Sequence, residues 1–322
     1  MTEPATQTLS VVVPTYGRAH RLRAVLAPLL ADPALGELVV VVDGSQDGSL
    51  ELLEAMAAQD PRVRPHFQPN TGAAAARQAG VELACSDVVL LLDDDVLAAP
   101  GLVTGHARAA RRHPGCVVVG RMPAQVPTPR TGGSVTTLLY AQEYEQCVAG
   151  YQQHPDRLLE NLWTGNVSLP RSLALRVGLG DPELADLFPF EDRELGLRLR
   201  ALGACAAYEP ELLATHLHSR SIERFADDAR RQGRALHVLA SRHPDVVAPP
   251  TAGSLHGWLA APLRLVLDAV LRHPALGRPV GQVAVAATRA AGALRAWELQ
   301  RRLLLVVRHV AQAEGAGSVA RD

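Results

Sequence analysis

The chain has 322 residues, 48% of them hydrophobic and 20% charged, with 32 Lys+Arg against 33 Asp+Glu. That apolar content excludes disorder over most of the length and is enough for one large domain with an appendage. No stretch of 18 residues is apolar and uncharged, so no spanning helix is expected, and MTEPATQTLS lacks the basic and apolar regions of a secretory leader.

In chain order, Leu9–Val13 is a β-rich run ending at Pro14, and a helical pattern covers Arg18–Leu30. Leu38–Val42 is a second strand, followed by Asp43-Gly44-Ser45 and a helix near Ser49–Gln59. Val63–Phe67 is a third short strand, Gly72–Ala84 an Ala-rich helix, and Asp87–Leu92 an apolar strand running into Asp93-Asp94-Asp95. Helix is expected again over Pro100–Arg111. Continuous apolar strands separated by helices of ten to fifteen residues predict an α/β fold with a parallel sheet covered on both faces.

Between about 125 and 165 the pattern weakens, and Pro127, Pro129, Gly132 and Gly133 predict a mobile loop. Helices are expected at Pro170–Val177 and Glu191–Leu202, with a short strand at Ala204–Tyr208. From Ser221 the chain reads as helix, broken near Pro249-Pro250 and Pro279. Its last stretch, Val280–Ala313, places Leu299, Leu303, Val306 and Val310 on one face, with Arg301, Arg302 and Arg308 off it.

Charge is unevenly divided. Residues 220–322 hold 15 Arg and 8 acids, a balance of +7, whereas the first 219 residues stand at −8. The split points to a two-part molecule whose C-terminal part faces something anionic. No Lys occurs, which excludes lysine-dependent chemistry. The four cysteines, Cys85, Cys116, Cys147 and Cys205, are widely spaced; neither a zinc pattern nor a disulfide scaffold follows, and a reducing cytoplasm fits.

Pro14-Thr15-Tyr16, Asp43-Gly44-Ser45 and Asp93-Asp94-Asp95 each follow the C-terminal end of a predicted strand, the sheet edge where ligands bind in open α/β folds. Three adjacent carboxylates repel one another unless a cation or basic group neutralises them, and hard oxygen ligands suit Mg²⁺ or Mn²⁺. Alternation sends Asp93 and Asp95 to one side and Asp94 away. Alone, such a triplet reads equally as a solvated acidic turn. Phe190-Glu191-Asp192 opens a helix whose first-turn acids either complement the helix dipole or present a general base. His216 and His218 share one face after a short strand, either as metal ligands or paired with nearby acids.

The ordered set VVVPTY, VVDGSQDGS, NTGAAAARQAG, LLLDDDV, TGNVSLPRS, FEDRELGLRLRALG, THLH and RRQGRA resembles the family 2 glycosyltransferases over roughly residues 9–235. The resemblance implies the GT-A fold, a Rossmann-like, mostly parallel sheet flanked by helices, here with a C-terminal helical extension. It implies an inverting transferase using a nucleotide-sugar donor, with UDP expected from family frequency, and Mn²⁺ or Mg²⁺ as cofactor. By the same resemblance Pro14, Thr15 and Tyr16 pack on the base, Asp43 reads base or ribose, and Arg77 lies beside the nucleotide. Asp93 and Asp95 correspond to the D-x-D pair, with Asp94 an extra acid that leaves open which pair holds the metal. Gly165 and Asn166 form the acceptor-side loop near the sugar. Asp192, with Glu191 beside it, matches the catalytic base, and His216 or His218 a histidine near the metal. The family's usual first acid before the Gly-Ser is Val42 here.

The organisation this implies is a catalytic domain over 1–220, its donor half about 1–124 and its acceptor half about 125–220, followed by an Arg-rich helical region at 221–322. No nucleic-acid partner is expected. The C-terminal helices are expected to form a packed cap, a homodimer surface or a peripheral contact at the inner face of a membrane. Alternative readings are a catalytically degenerate nucleotide-sugar binder and a sugar-phosphate nucleotidyltransferase; the latter wants a Gly-rich, basic phosphate loop that Pro-Thr-Tyr-Gly does not provide.

Overall fold

Valine- and leucine-rich runs with no polar alternation need cover on both faces, and they form the centre of a sheet. The structure, a computed structural model, describes residues 8–180, 190–247, 265, 269–270 and 272–319. The chain divides into two compact units: Met1–Ala124 with Tyr144–Ala185 and Leu195–Leu217, and Gln125–Glu143 with Asp186–Glu194 and His218–Asp322.

The first unit holds an eight-stranded sheet. Its strands are β1 (Leu9–Thr15), β2 (Leu35–Asp43), β3 (Val63–Gln68), β4 (Val88–Leu92), β5 (Val96–Ala98), β6 (Val117–Arg121), β7 (Asn166–Pro170) and β8 (Ala206–His216), in the order β3-β2-β1-β4-β7-β6-β8-β5. The β3-β2-β1-β4 half is parallel, as the alternation with α1 (Ala19–Leu30), α2 (Ser49–Ala57) and α3 (Ala73–Leu83) predicts. Beyond β4 the sheet is mixed. β7 runs antiparallel to both β4 and β6, β6 and β8 are parallel, and β5 is antiparallel to β8. Four of the seven pairings are thus parallel, as expected, and the three antiparallel ones lie beyond β4.

Three strands, β5, β6 and β7, escape the sequence pattern. β5 is three residues long and follows the Asp triplet directly; β6 is a five-residue run after α4 (Leu102–Arg112). β8 is also longer than expected and passes through Pro210. Its register against β6 jumps from Gly120↔Glu209 to Arg121↔Leu213, so the proline sits in a bulge where its missing N–H removes no ladder bond.

The stretch expected as a mobile loop contains α5 (Val135–Gln153), flanked by 3₁₀ turns at Gly132–Ser134 and Pro155–Asn161. Its apolar stripe was disguised because Thr136 and Thr137 are buried on it, their hydroxyls donating to the carbonyls of Arg220 and His218. α6 (Arg171–Val177) and α7 (Glu191–Ala201) fall where expected.

The second unit is built on α8 (Ile222–Arg242), α9 (Gly277–Ala293) and α10 (Trp297–Val319). Ser221 caps α8, accepting from the Arg224 amide at 3.1 Å. Pro279 does not break the chain. It lies in the first turn of α9, where its missing N–H costs nothing. The break comes instead at Arg295, whose φ of 55° is left-handed. The expected stripe on α10 is also displaced: Leu299 is 53% exposed, while Gln300, Leu304, Val307 and Ala311 are buried along with Val310. Five consecutive apolar residues, Leu303 to Val307, leave the phase open to the packing partners. Pro249, Pro250 and Trp258 lie outside the described residues.

The basic surplus of this region is largely engaged internally. Arg230 pairs with Asp227 at 2.7 Å and Glu314 at 2.9 Å, Arg289 with Glu223 at 2.7 Å, and Arg308 with Glu143. Arg220 and Arg224 share Asp228, and Arg301 and Arg302 share Glu298. Among the described residues no helix is long and apolar enough to cross a membrane.

The cysteine expectation is corrected. Cys116 and Cys205 form a disulfide across 89 residues of sequence, because the strands that follow them, β6 and β8, pair in register at Val117↔Ala206. Cys85 and Cys147 are free. Two of four thiols should therefore react with a thiol reagent in denaturant, and all four after reduction. Replacing both Cys116 and Cys205 by Ser is expected to lower stability by up to about 4.6 kcal/mol, the loop-closure value for so long a loop, measured by denaturant unfolding.

Candidate active site

The Asp triplet belongs to the first unit and lies at the C-terminal edge of the sheet, directly after β4. The Asp triplet forms the turn between β4 and β5. Each of its carboxylates is met by a different element. Arg77, buried on α3, places Nη2 2.5 Å from Asp93 Oδ1. Thr15, the last residue of β1, donates its hydroxyl to Asp94 Oδ2 at 2.8 Å. Arg18, just before α1, reaches Asp95 Oδ2 at 3.2 Å.

His216 joins the same turn. The β5–β8 pairing sets Val96 opposite His216, which brings His216 Nε2 to 3.2 Å from Asp95 Oδ1. Burial pushes the Asp95 carboxyl upward, but the His216 hydrogen bond and the charges of His216 and Arg18 outweigh it and hold the group well below the usual range. Asp94 goes the other way. Burial raises it to about 6, only partly opposed by Arg18 and the Thr15 hydroxyl, with the two flanking carboxylates adding to the rise.

Around the triplet the loops are tied by acids. Asp47 accepts from the Ala19 amide at 2.9 Å and from the Ser45 and Ser49 hydroxyls at 2.6 Å, and the Gly17 amide donates to Ser45 Oγ. These bonds outweigh partial desolvation and lower the Asp47 carboxyl. Asp43 is buried. Its Oδ1 accepts from Gln68 Nε2 and the Thr71 amide, both at 2.9 Å, and its Oδ2 from the Gly72 amide at 2.8 Å. The carboxylate expected to read base or ribose is thus engaged in holding the Asn70-Thr71-Gly72 turn at the start of α3. Pro14 lies within β1, and Tyr16 beyond it is 59% exposed.

Gly165 adjoins the triplet through its lack of a side chain: a Cβ there would stand 2.8 Å from Asp93 Oδ2 and 2.8 Å from Met122 Sδ. Asn166, the next residue, begins β7 and is buried with its side chain fully engaged. Nδ2 donates to the carbonyls of Leu212 at 2.9 Å and Arg121 at 3.3 Å, and Oδ1 lies 2.9 Å from His106 Nε2. Sequence reading missed His106. Its one signal is a histidine on the apolar face of α4, between Val103 and Ala107.

The remaining expected residues belong to the second unit. Glu191 and Asp192 lie in the first turn of α7, both half-buried, with Glu194 buried 3.6 Å from the His243 ring. His218 stacks on Tyr140, ring centroids 4.1 Å apart. Among the described residues no three His, Cys, Asp or Glu side chains are grouped so as to hold a metal by themselves.

Comparison with known proteins settles the lineage of the part that holds the triplet. The model of Glycosyl transferase family 2 matches residues 10–158. That segment belongs to glycosyl transferase family 2. An uncharacterized glycosyltransferase, YfnE of Bacillus subtilis (strain 168), is 34% identical over 113 residues, covering 34% of this chain and 29% of that protein. The validoxylamine A glucosyltransferase of Streptomyces hygroscopicus subsp. jinggangensis (strain 5008) is 32% identical over 224 residues, 61% of this chain and 52% of that one. The chain thus spans about half, or less, of the length of these curated relatives. A solved mannosyltransferase, PcManGT from Pyrobaculum calidifontis in complex with GDP-Man and Mn²⁺, superposes with a TM-score of 0.54 at 17% identity, covering 93% of this chain and 85% of that one. The fold is GT-A, with C-terminal helices added.

The buried His106 supplies a pH test. Burial lowers its pKa to about 4, against hydrogen bonding to Asn166 and the charge of Glu209, which raise it. The unfolded chain, near 6.5, takes up the proton first, so stability is present above about pH 6.5 and is lost as pH falls towards 4. The loss attributable to this group is about 2 kcal/mol at pH 5. His106→Gln should flatten that part of the slope in urea unfolding measured at pH 7 and pH 5.

Proposed function

We propose that the chain is an inverting glycosyltransferase that moves a sugar from a nucleoside-diphosphate sugar, UDP being the expected nucleotide, to an acceptor hydroxyl. The observation that carries the reading is the triplet itself, three carboxylates on the ligand-binding edge of a family 2 segment, each held by a separate element. Asp93, Asp94 and Asp95 face two guanidiniums, Arg77 and Arg18, and one imidazole. Such a cluster has room for more positive charge, and a divalent ion that binds substrate phosphates needs only one or two protein carboxylates. Asp95, Asp93 and His216 are the residues that would hold Mn²⁺ or Mg²⁺. An ion held there would supply Lewis-acid stabilisation of negative charge on the diphosphate leaving group.

In this reading the exposed Tyr16 ring packs on the base, with Pro14 and Thr15 shaping the loop beneath it. Arg77 keeps Asp93 oriented, and Asp43 acts by fixing the turn that starts α3. Gly165 leaves open the space beside Asp93 where the sugar sits. Asp192 takes the proton from the acceptor hydroxyl as that oxygen attacks the anomeric carbon opposite the leaving diphosphate, so one displacement inverts the centre. Its place in the first turn of α7 favours negative charge, and Glu191 stands beside it.

The test is nucleoside diphosphate release from UDP-, GDP- and dTDP-sugars, with and without Mn²⁺ or Mg²⁺. Metal-dependent release from one donor, lost in Asp95→Ala, is the expected result. Asp192→Asn should keep donor binding while lowering acceptor-dependent turnover by about 10²–10⁴. Donor-induced thermal stabilisation with no turnover under any acceptor would indicate a non-catalytic binder instead. Unchanged turnover in Asp192→Asn would remove that residue from the mechanism.

A further inference from the structure

Behind the Asp triplet lies a buried polar relay. His106 on α4 is 0% exposed, and its two ring nitrogens meet two residues of β7: Nε2 is 2.9 Å from Asn166 Oδ1, and Nδ1 is 2.8 Å from Ser168 Oγ. The protonation pattern follows from the far end. The carbonyls of Leu212 and Arg121 only accept, so the Asn166 atom facing them is the amide nitrogen, and its oxygen must face His106. Nε2 therefore carries the proton, and Nδ1 accepts from the Ser168 hydroxyl. One tautomer satisfies every polar atom of the relay.

The surroundings are shaped to admit it. A Cβ on Gly120 would stand 2.3 Å from Asn166 Nδ2, so only glycine leaves room for the amide there. The Leu212 carbonyl belongs to the β8 bulge around Pro210, where the β6–β8 register jumps. Asn166 pairs with Leu92 across β7 and β4, and the next positions along the two strands are Gly165 and Asp93. The relay thus ends one residue from Gly165, where a Cβ would stand 2.8 Å from Asp93 Oδ2.

We propose that His106 is a positioning residue: through Asn166 it fixes the chain at Gly165 and so sets where Asp93 stands. The Asn166 side chain then serves as an internal strut and not as a donor contact, and specificity at this corner comes from the Gly165 backbone. The catalytic consequence rests on the glycosyltransferase reading above; the structural one does not.

The test uses the full chain with His106→Leu, which removes both ring nitrogens, His106→Gln, which keeps an N–H for Asn166, and Ser168→Ala, which releases Nδ1. Amide hydrogen exchange needs no substrate. In His106→Leu, exchange at residues 165–167 and 93–96 is expected to rise at least about tenfold while β1 and β2 stay protected, and His106→Gln should restore most of the protection. Ser168→Ala should give a smaller rise at the same residues, and it keeps the test decisive if His106→Leu fails to fold. No change at 93–96 in either folded variant overturns the proposal, as does a rise spread evenly over the sheet.

Kinetics supply the second readout. With the donor that the panel identifies, His106→Leu should lower kcat at least about tenfold while the Kd for the nucleoside diphosphate alone shifts less than about twofold, and Gln should rescue. Equal loss of nucleotide affinity would mean general damage and would overturn the positioning role. If the unaltered protein binds and turns over no donor, the proposed function fails, while the exchange result still decides the role of His106.

Discussion

Three aspartates in a row at a strand end repel one another, and much of the first unit relieves that repulsion. The relief comes from four separate places: Arg77 on α3, Thr15 at the end of β1, Arg18 before α1, and His216 at the end of β8. Because each partner belongs to a different element, neutralising the triplet also fixes the ends of those elements against one another. The compensation is unequal. Asp95 receives the Arg18 guanidinium and the His216 ring and is held low, whereas Asp94 receives a hydroxyl and is driven to about 6 by burial.

The same economy recurs nearby with single acids. Asp43 gathers two backbone amides and a Gln side chain at the start of α3, and Asp47 gathers the loops after β1 and β2. Loops at the functional edge of an α/β sheet lack ladder partners, so carboxylates supply the hydrogen bonds that strands supply elsewhere. Acids that look from the sequence like substrate contacts therefore divide into two kinds. Some stand at the triplet, and others build the frame around it.

In the sequence, the parallel half of the sheet is legible because β1, β2 and β4 are continuous apolar runs bounded by turn residues. The other half is not, for local reasons. β5 is too short to show a period, Pro210 hides the continuation of β8, and buried Thr136 and Thr137 interrupt the stripe of α5. On α10 the opposite problem arises, since five apolar residues in succession allow more than one buried face. The Cys116–Cys205 bond was invisible because it depends on which strands are neighbours and not on spacing along the chain.

The sequence by itself determined the α/β class, the order of the motifs and the chemistry of the triplet, since these depend on residue type and on periods of two to four residues. It also placed Asp43, Asp93 and Asp95 just after strand ends, where side chains are free to converge. Only the tertiary structure decided which of them meet: His216 reaches Asp95 because β5 and β8 pair, and Asp43 turns to the α3 loop. His106 gained its place in the same way, from a histidine on a helix to the holder of Asn166. Hydrogen bonds act over about 3 Å, and chain positions 60 to 120 residues apart come within that range only when strand order and register are set.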